Sequence, residues 1–121
     1  MGFKLYKSDA FTANIPLVRI TSYYVIVFNM ASLGYMNIRD RSYVLLAYDS
    51  QHQTIGIKPI NQYKFGARIL TMRPSQRRGS ISVKTFAEWA KIDLDKHIGI
   101  YKLRQKEGYF CFRLKCIKKV G

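Results

Sequence analysis

Apolar residues follow one grammar twice along the chain. Residues 25–28 (Val-Ile-Val-Phe) are continuously apolar, 29–36 carry helix-compatible spacing, and 43–48 are apolar again. A polar run at 49–53 then leads into a second apolar segment at 54–59. This pattern predicts strand, short helix, strand, hairpin turn, strand. The order returns as a strand at 80–83, a helix at 84–91, a strand at 98–103, a turn through 104–108 and a strand at 109–115. Asn29 is placed to cap the first helix, because its side chain can accept from an orphan N–H two or three residues on, and Ser82 is placed to cap the second. Helices this short need a surface to pack on, so Met30, Leu33, Phe86 and Trp89 or Ala90 are expected to seat on a sheet or barrel. Between the two runs, residues 64–72 read as a further strand with Arg68 exposed. Residues 73–79 read as a loop punctuated by Pro74 and Gly79. Before Leu17 the chain reads as an arm or edge strand, since Pro16 argues against a central one.

The two runs align at an offset of 54 residues, matching Ile38 with Ile92, Tyr43 with His97, Val44 with Ile98 and Arg19 with Arg73. An internal duplication is therefore expected. The division is an arm over 1–16, a first unit over 17–63, a basic connecting strand and loop over 64–79 and a second unit over 80–121. All are expected in one compact domain. The fold class is β-rich α+β, two fused strand–short helix–β-hairpin units forming a small barrel or sheet.

A chain of 121 residues, 48% hydrophobic and with three prolines, can bury a single core and lacks the composition of disorder. Charge alters the picture more. Twenty-one Lys and Arg against seven Asp and Glu give a net charge of +14. From Ser50 to Ala87 the cations Lys58, Lys64, Arg68, Arg73, Arg77, Arg78 and Lys84 meet no acidic residue. Ordinary soluble surfaces mix signs, so this asymmetry points to a polyanionic partner, foremost the phosphates of DNA or RNA. No targeting segment or membrane-length apolar run is visible, and a soluble, cytoplasmic protein without membrane association is expected.

Catalytic chemistry finds little support. Cys111 and Cys116, five apart on a strand, point to opposite faces, which argues against a disulfide. With His52 and His97 they lack paired-ligand spacing for zinc, and buried thiols and surface histidines are expected instead. There is no phosphate-cradling glycine loop and no nucleophile–base spacing. Asp93 and Asp95, flanked by Lys91 and Lys96, fit a turn. A metal-dependent nuclease built on Asp40, Asp49, Asp93 and Asp95 is a minor alternative. Neither cofactor nor metal is called for. Arg73, Arg77 and Arg78 beside Gly79 form the leading phosphate-binding patch, because guanidinium groups grip phosphate bidentately and glycine allows close approach. Arg19, Arg39, Arg41, Lys84 and Arg68 follow.

The string YVIVFNMASLGYMNIRDRSYVLLAYDSQHQTIGIKP resembles the swapped-hairpin barrel unit of the AbrB, SpoVT and MraZ family, and RGSISVKTFAEWAKIDLDKHIGIYKLRQKEGYFCFRL resembles it again. The resemblance spans roughly residues 17–116. Two units in tandem make the MraZ arrangement the nearer comparison. Arg19 and Arg73 take the family's upstream basic position, and Arg78-Gly79 lies near its Gly-Arg. The family's proline at the helix start is absent from both units, and its arginine after the glycine is replaced by Ser80 and Ile26. The resemblance implies a transcriptional regulator or antitoxin-like DNA binder, and a DNA-binding regulator of prokaryotic or phage type is expected, with duplex DNA as the favoured partner and room for a homodimer. Two alternatives stand beside it. One is a binder of single-stranded DNA or RNA, with Tyr23, Tyr24, Tyr63, Tyr101 and Tyr109 as stacking platforms. The other is a structural or interaction protein with a basic face.

Overall fold

Successive side chains of a strand point to opposite faces, and in the computed structural model that rule sorts the apolar residues inward. The structure describes residues 2–3, 14–38, 42–73 and 78–115, with Ser42 and Arg73 described by backbone alone. In β1 (Leu17–Ile20) and β2 (Val25–Asn29), Val18, Ile20, Ile26 and Phe28 are fully buried, and their neighbours Arg19, Val25 and Val27 are only half-covered. The same alternation runs through β6 (Arg78–Ser82), which buries Gly79 and Ile81, whereas β4 (Thr54–Ile60) buries Ile55, Gly56 and Ile57 in succession, Gly56 lying under Tyr109. The remaining strands are β3 (Ser42–Asp49), β5 (Arg68–Arg73), β7 (Gly99–Lys102), β8 (Arg104–Lys106) and β9 (Tyr109–Arg113). Helices α1 (Met30–Tyr35) and α2 (Lys84–Ala90) follow β2 and β6.

The strands form one antiparallel sheet in the order β7-β1-β2-β6-β5-β3-β4-β9-β8. Its two edge strands, β7 and β8, are joined in the chain by Leu103 alone, whose N–H donates to the carbonyl of Pro16 at 3.0 Å. One bent stretch, 99–106, thus pairs with β1 through its first half and with β9 through its second. Strand β5 bends likewise, pairing with β3 over residues 68–70 and with β6 over 71–73. The result is a nearly closed, barrel-like sheet around a core that includes Phe28, Leu33, Val44, Leu70, Leu94 and Phe112.

The repeat is visible in the backbone. Helices α1 and α2 start at Met30 and Lys84, 54 residues apart. Each ends the same way: Ile38 N–H donates to Leu33 at 3.0 Å and Ile92 N–H to Ala87 at 2.9 Å, while Asn37 bonds to Gly34 and Lys91 to Glu88. Asn37 (φ 55°) and Lys91 (φ 58°) are both left-handed, which makes the two ends the same Schellman motif. Gln53 (φ 49°) and Glu107 (φ 53°), ahead of β4 and β9, repeat the offset once more. Strand pairing follows the same symmetry. Strand β2 pairs with its counterpart β6 and β4 with β9, while β1 pairs with β7 and, reciprocally, β5 with β3.

Several expectations are corrected. The first unit gains a strand ahead of the one expected at 25–28, since residues 17–20 pair on both sides. The strand expected from Lys64 begins at Arg68, because Ala67 N–H closes a turn onto Lys64 at 2.9 Å with Gly66 at φ 87°. The loop expected over 73–79 is shorter at both ends, since Arg73 and Arg78 pair in the ladder. The turn expected over 104–108 shrinks to Glu107 and Gly108, both at positive φ, the geometry of a type I′ hairpin. Asn29 caps α1 as expected, its Oδ1 accepting from Ser32 N–H at 2.8 Å. At α2 the N-cap is Val83, with no side-chain bond, and Ser82 stays in the strand. Leu33 and Phe86 are buried and Ala90 packs against the core, but Met30 (50% exposed) and Trp89 (71%) face outward. His97 is buried rather than on the surface, because its Nδ1 bonds to the carbonyl of Lys115 at 2.8 Å and its own carbonyl accepts from Tyr101 Oη at 2.6 Å. Cys111 is half-buried, and Cys116 lies outside the described residues.

Candidate nucleic-acid interface

Arg19 sits between buried Val18 and Ile20, so it occupies the outer face of β1. Ladder pairing runs the same outer rung from Ile100 through Arg19, Val27 and Ser80 to Thr71. Arg78, two residues from Ser80, shares this face, and Arg73 is its direct partner across the β5·β6 ladder. Lys84 is exposed at the first residue of α2, just beyond the end of β6. Strands β1, β2, β6 and β5 lie side by side, so Arg19 and Arg78 share a sheet face about 14 Å wide at the usual strand spacing, with the Arg73 backbone on its β5 border and Lys84 just past the end of β6.

Arg68 departs from the expectation of exposure. It is half-buried, and its Nε donates to the carbonyl of Ser82 at 3.3 Å, which ties it to the edge of the hairpin. Arg39, Arg41 and Arg77 lie outside the described residues, as does Asp40.

A second basic surface, unanticipated from the acid-free segment, lies across the strand order on β4, β9 and β8. It is a groove of about 600 Å³ whose lining includes Gly56, Lys102, Arg104, Lys106, Tyr109, Cys111, Arg113 and Lys115. Alternation explains it. In 101–106 Tyr101 and Leu103 are buried while Lys102, Arg104 and Lys106 are exposed, and in 112–115 Phe112 and Leu114 are buried while Arg113 and Lys115 are exposed. Tyr109 leans over Gly56, where an added Cβ would stand 3.3 Å from its ring, and Lys58 Nζ lies 5.9 Å from the ring centroid. Two carboxylates also line the groove, Glu107 in the hairpin turn and Asp49 at the end of β3. His52 Nδ1 meets Asp49 Oδ2 at 2.8 Å, and this side-chain bond holds the Asp49 carboxyl below its usual range. Among the described residues no carboxylate pairs with Lys102, Arg104, Lys106, Arg113 or Lys115. The sequence signal for the groove is basic residues at every second position on both arms of a hairpin, K-x-R-x-K and R-x-K.

Of the tyrosines considered as stacking platforms, Tyr101 is buried with its ring 5.3 Å from that of Phe112. Tyr23, Tyr63 and Tyr109 are exposed and Tyr24 is half-buried. Asp93 accepts from Asp95 N–H at 3.2 Å and caps a 3-10 turn over Leu94–His97, the local role expected for this pair. No cluster of three or more His, Cys, Asp or Glu suited to a metal occurs among the described residues. No helix among them is long and apolar enough to cross a membrane. Comparison with protein-family models, curated proteins and solved structures finds no match.

Proposed function

We propose that this chain is a non-catalytic DNA-binding protein, a transcriptional regulator of the swapped-hairpin barrel type seen in the AbrB, SpoVT and MraZ family. The observation that carries the reading is the placement of Arg19, Arg78 and Arg73 on β1, β6 and β5, three of four side-by-side strands of one sheet, with Lys84 just past the end of β6. Support for the barrel type comes from the reciprocal pairing of the two strand–helix–hairpin units, each supplying a first strand to the other's hairpin. On that sheet face, cations set the affinity for phosphate, and the half-covered Val27 and Ser80 between them let a duplex approach closely.

Fluorescence anisotropy with a labelled duplex, titrated at several salt concentrations, tests the proposal. The natural chain should bind with a steep negative slope of log affinity against log salt. The double variant Arg73→Gln/Arg78→Gln should flatten that slope by about 1 to 2, near 0.9 for each phosphate that is no longer neutralised. A slope identical to that of the natural chain removes this face from the interface. Absence of duplex binding near physiological salt overturns the DNA-binding reading itself.

A further inference from the structure

We infer that the groove along β4, β9 and β8 is a separate site for an unpaired nucleic-acid strand, stacking a base on Tyr109 and holding flanking phosphates with Lys102, Arg104, Lys106, Arg113 and Lys115. It goes beyond the duplex reading and does not depend on it, because its cations at 102–106 and 113–115 share no residue with Arg19, Arg73, Arg78 and Lys84.

Three features favour a single strand over a duplex. The first is shape: a recess of about 600 Å³ matches the usual range of small-ligand pockets and can admit a splayed base. A duplex offers a convex rod with its bases stacked inside. The second is the floor. Gly56 has no side chain, so Tyr109 packs close over the β4 backbone through its Cβ, Cγ and Cδ1 and remains 36% exposed, with Lys58 Nζ 5.9 Å from the ring centroid. An aromatic face set among cations is the element that single-strand binders use for sequence-tolerant stacking. The third is charge geometry. Lys102, Arg104 and Lys106 project from every second position of the strand stretch beside Tyr109, and Arg113 and Lys115 follow at every second position along the chain beyond the ring, forming two basic rows. Glu107 and Asp49 also line the groove, where they disfavour phosphate and leave the basic rows as the path for the backbone.

The test is anisotropy near 0.15 M salt with labelled oligo-dT and oligo-U of about twelve residues, a length within the span of single-strand sites. An abasic oligomer of equal length, a duplex and unlabelled inorganic polyphosphate complete the set. The natural chain should bind at least one of the two single strands, and the tighter of them identifies DNA or RNA as the source. Affinity for the abasic oligomer should be lower by about tenfold or more, the worth of one stacked base. Tyr109→Leu should lose a similar factor and Tyr109→Phe should retain binding. Arg104→Gln/Arg113→Gln should reduce the salt slope by about 1.4, near 0.7 for each phosphate of a single strand that is released. The abasic comparison uses the natural chain, so it stands even if Tyr109→Leu fails to fold. Arg73→Gln/Arg78→Gln should leave single-strand binding unchanged while weakening the duplex, which separates the fate of the two sites. Equal affinity for the abasic and the base-bearing oligomers overturns the inference. So does competition by polyphosphate as effective as that by unlabelled oligo-dT, or failure of both single strands to bind.

Discussion

At the scale of single residues, Asn29 holds together two segments that are distant in the chain. Its Oδ1 accepts from the N–H groups of Leu17 (3.1 Å) and Ser32 (2.8 Å), and its Nδ2 donates to the carbonyl of Ile15 at 2.8 Å. One buried amide therefore caps α1 and fixes the chain as it enters β1. Asn29→Ala leaves these groups without their partner. It should lower the free energy of unfolding by about 2 kcal/mol, a missing cap plus a buried bond, read as a reduced urea midpoint with unchanged slope. Lys91 presents the opposite case. It holds the left-handed position of the α2 Schellman motif at φ 58°, where an L side chain crowds its own backbone and glycine does not. Lys91→Gly should raise stability by about 1 kcal/mol. A fall in the midpoint would mean that the lysine stem contributes more than its strain costs. Asn37, the equivalent residue in α1, already tolerates this conformation, and glycine there should gain less.

At the scale of elements, the two-residue turn between β8 and β9 joins stability to the charge of the groove. Glu107 and Gly108 both lie at positive φ, and the first central position of a type I′ turn favours Asn over Glu. Glu107→Asn should stabilise the protein by about 0.5 kcal/mol and, by removing a carboxylate from the groove margin, tighten oligonucleotide binding at low salt. Weaker binding by this variant would show that the groove is not where the anion sits. The same hairpin separates what pattern can reveal from what it cannot. Strands β2, β3, β4, β6 and β9 and both helices follow from apolar runs broken by polar turns, and Asn29 announces its cap. The four-residue strand β1 has no such signal, because Pro16 precedes it and its pairing with β2 and β7 is settled only by tertiary contact. Residues 104–106 are all polar and exposed, so pattern assigns them to a turn. They form a strand because β9 offers a ladder. Of the expected cations, Arg73 and Arg78 emerge as neighbours and Arg68 is drawn onto a carbonyl. Acid-free length along the chain marks the β5·β6 surface but misses the groove, whose cations are gathered by alternation within a hairpin and interrupted in sequence by Glu107.

At the scale of the whole molecule, the reciprocal strand pairing sets how the chain can fold. Within each unit the first hairpin never pairs with the second. The β1·β2 hairpin is flanked by β7 and β6, and the β3·β4 hairpin by β5 and β9, all supplied by the other half of the chain. A single unit therefore exposes strand edges on both hairpins and lacks the facing half of the core, in which Ile26 pairs with Ile81 and Ile55 with Phe112. Unpaired edges and half a core do not support independent stability. Separate fragments covering residues 1–63 and 64–121 should each lack a cooperative thermal transition as monomers. Mixed in equal amounts, they should recover the near-ultraviolet dichroism and the cooperative unfolding of the intact chain, with a midpoint that rises with concentration as expected of a two-part complex. A fragment that melts cooperatively as a monomer would show that one unit closes its own sheet, and would contradict the reciprocal pairing. Recovery only on mixing would mean that the linker over residues 61–67 raises the local concentration of two complementary halves, rather than contributing a contact without which neither can fold.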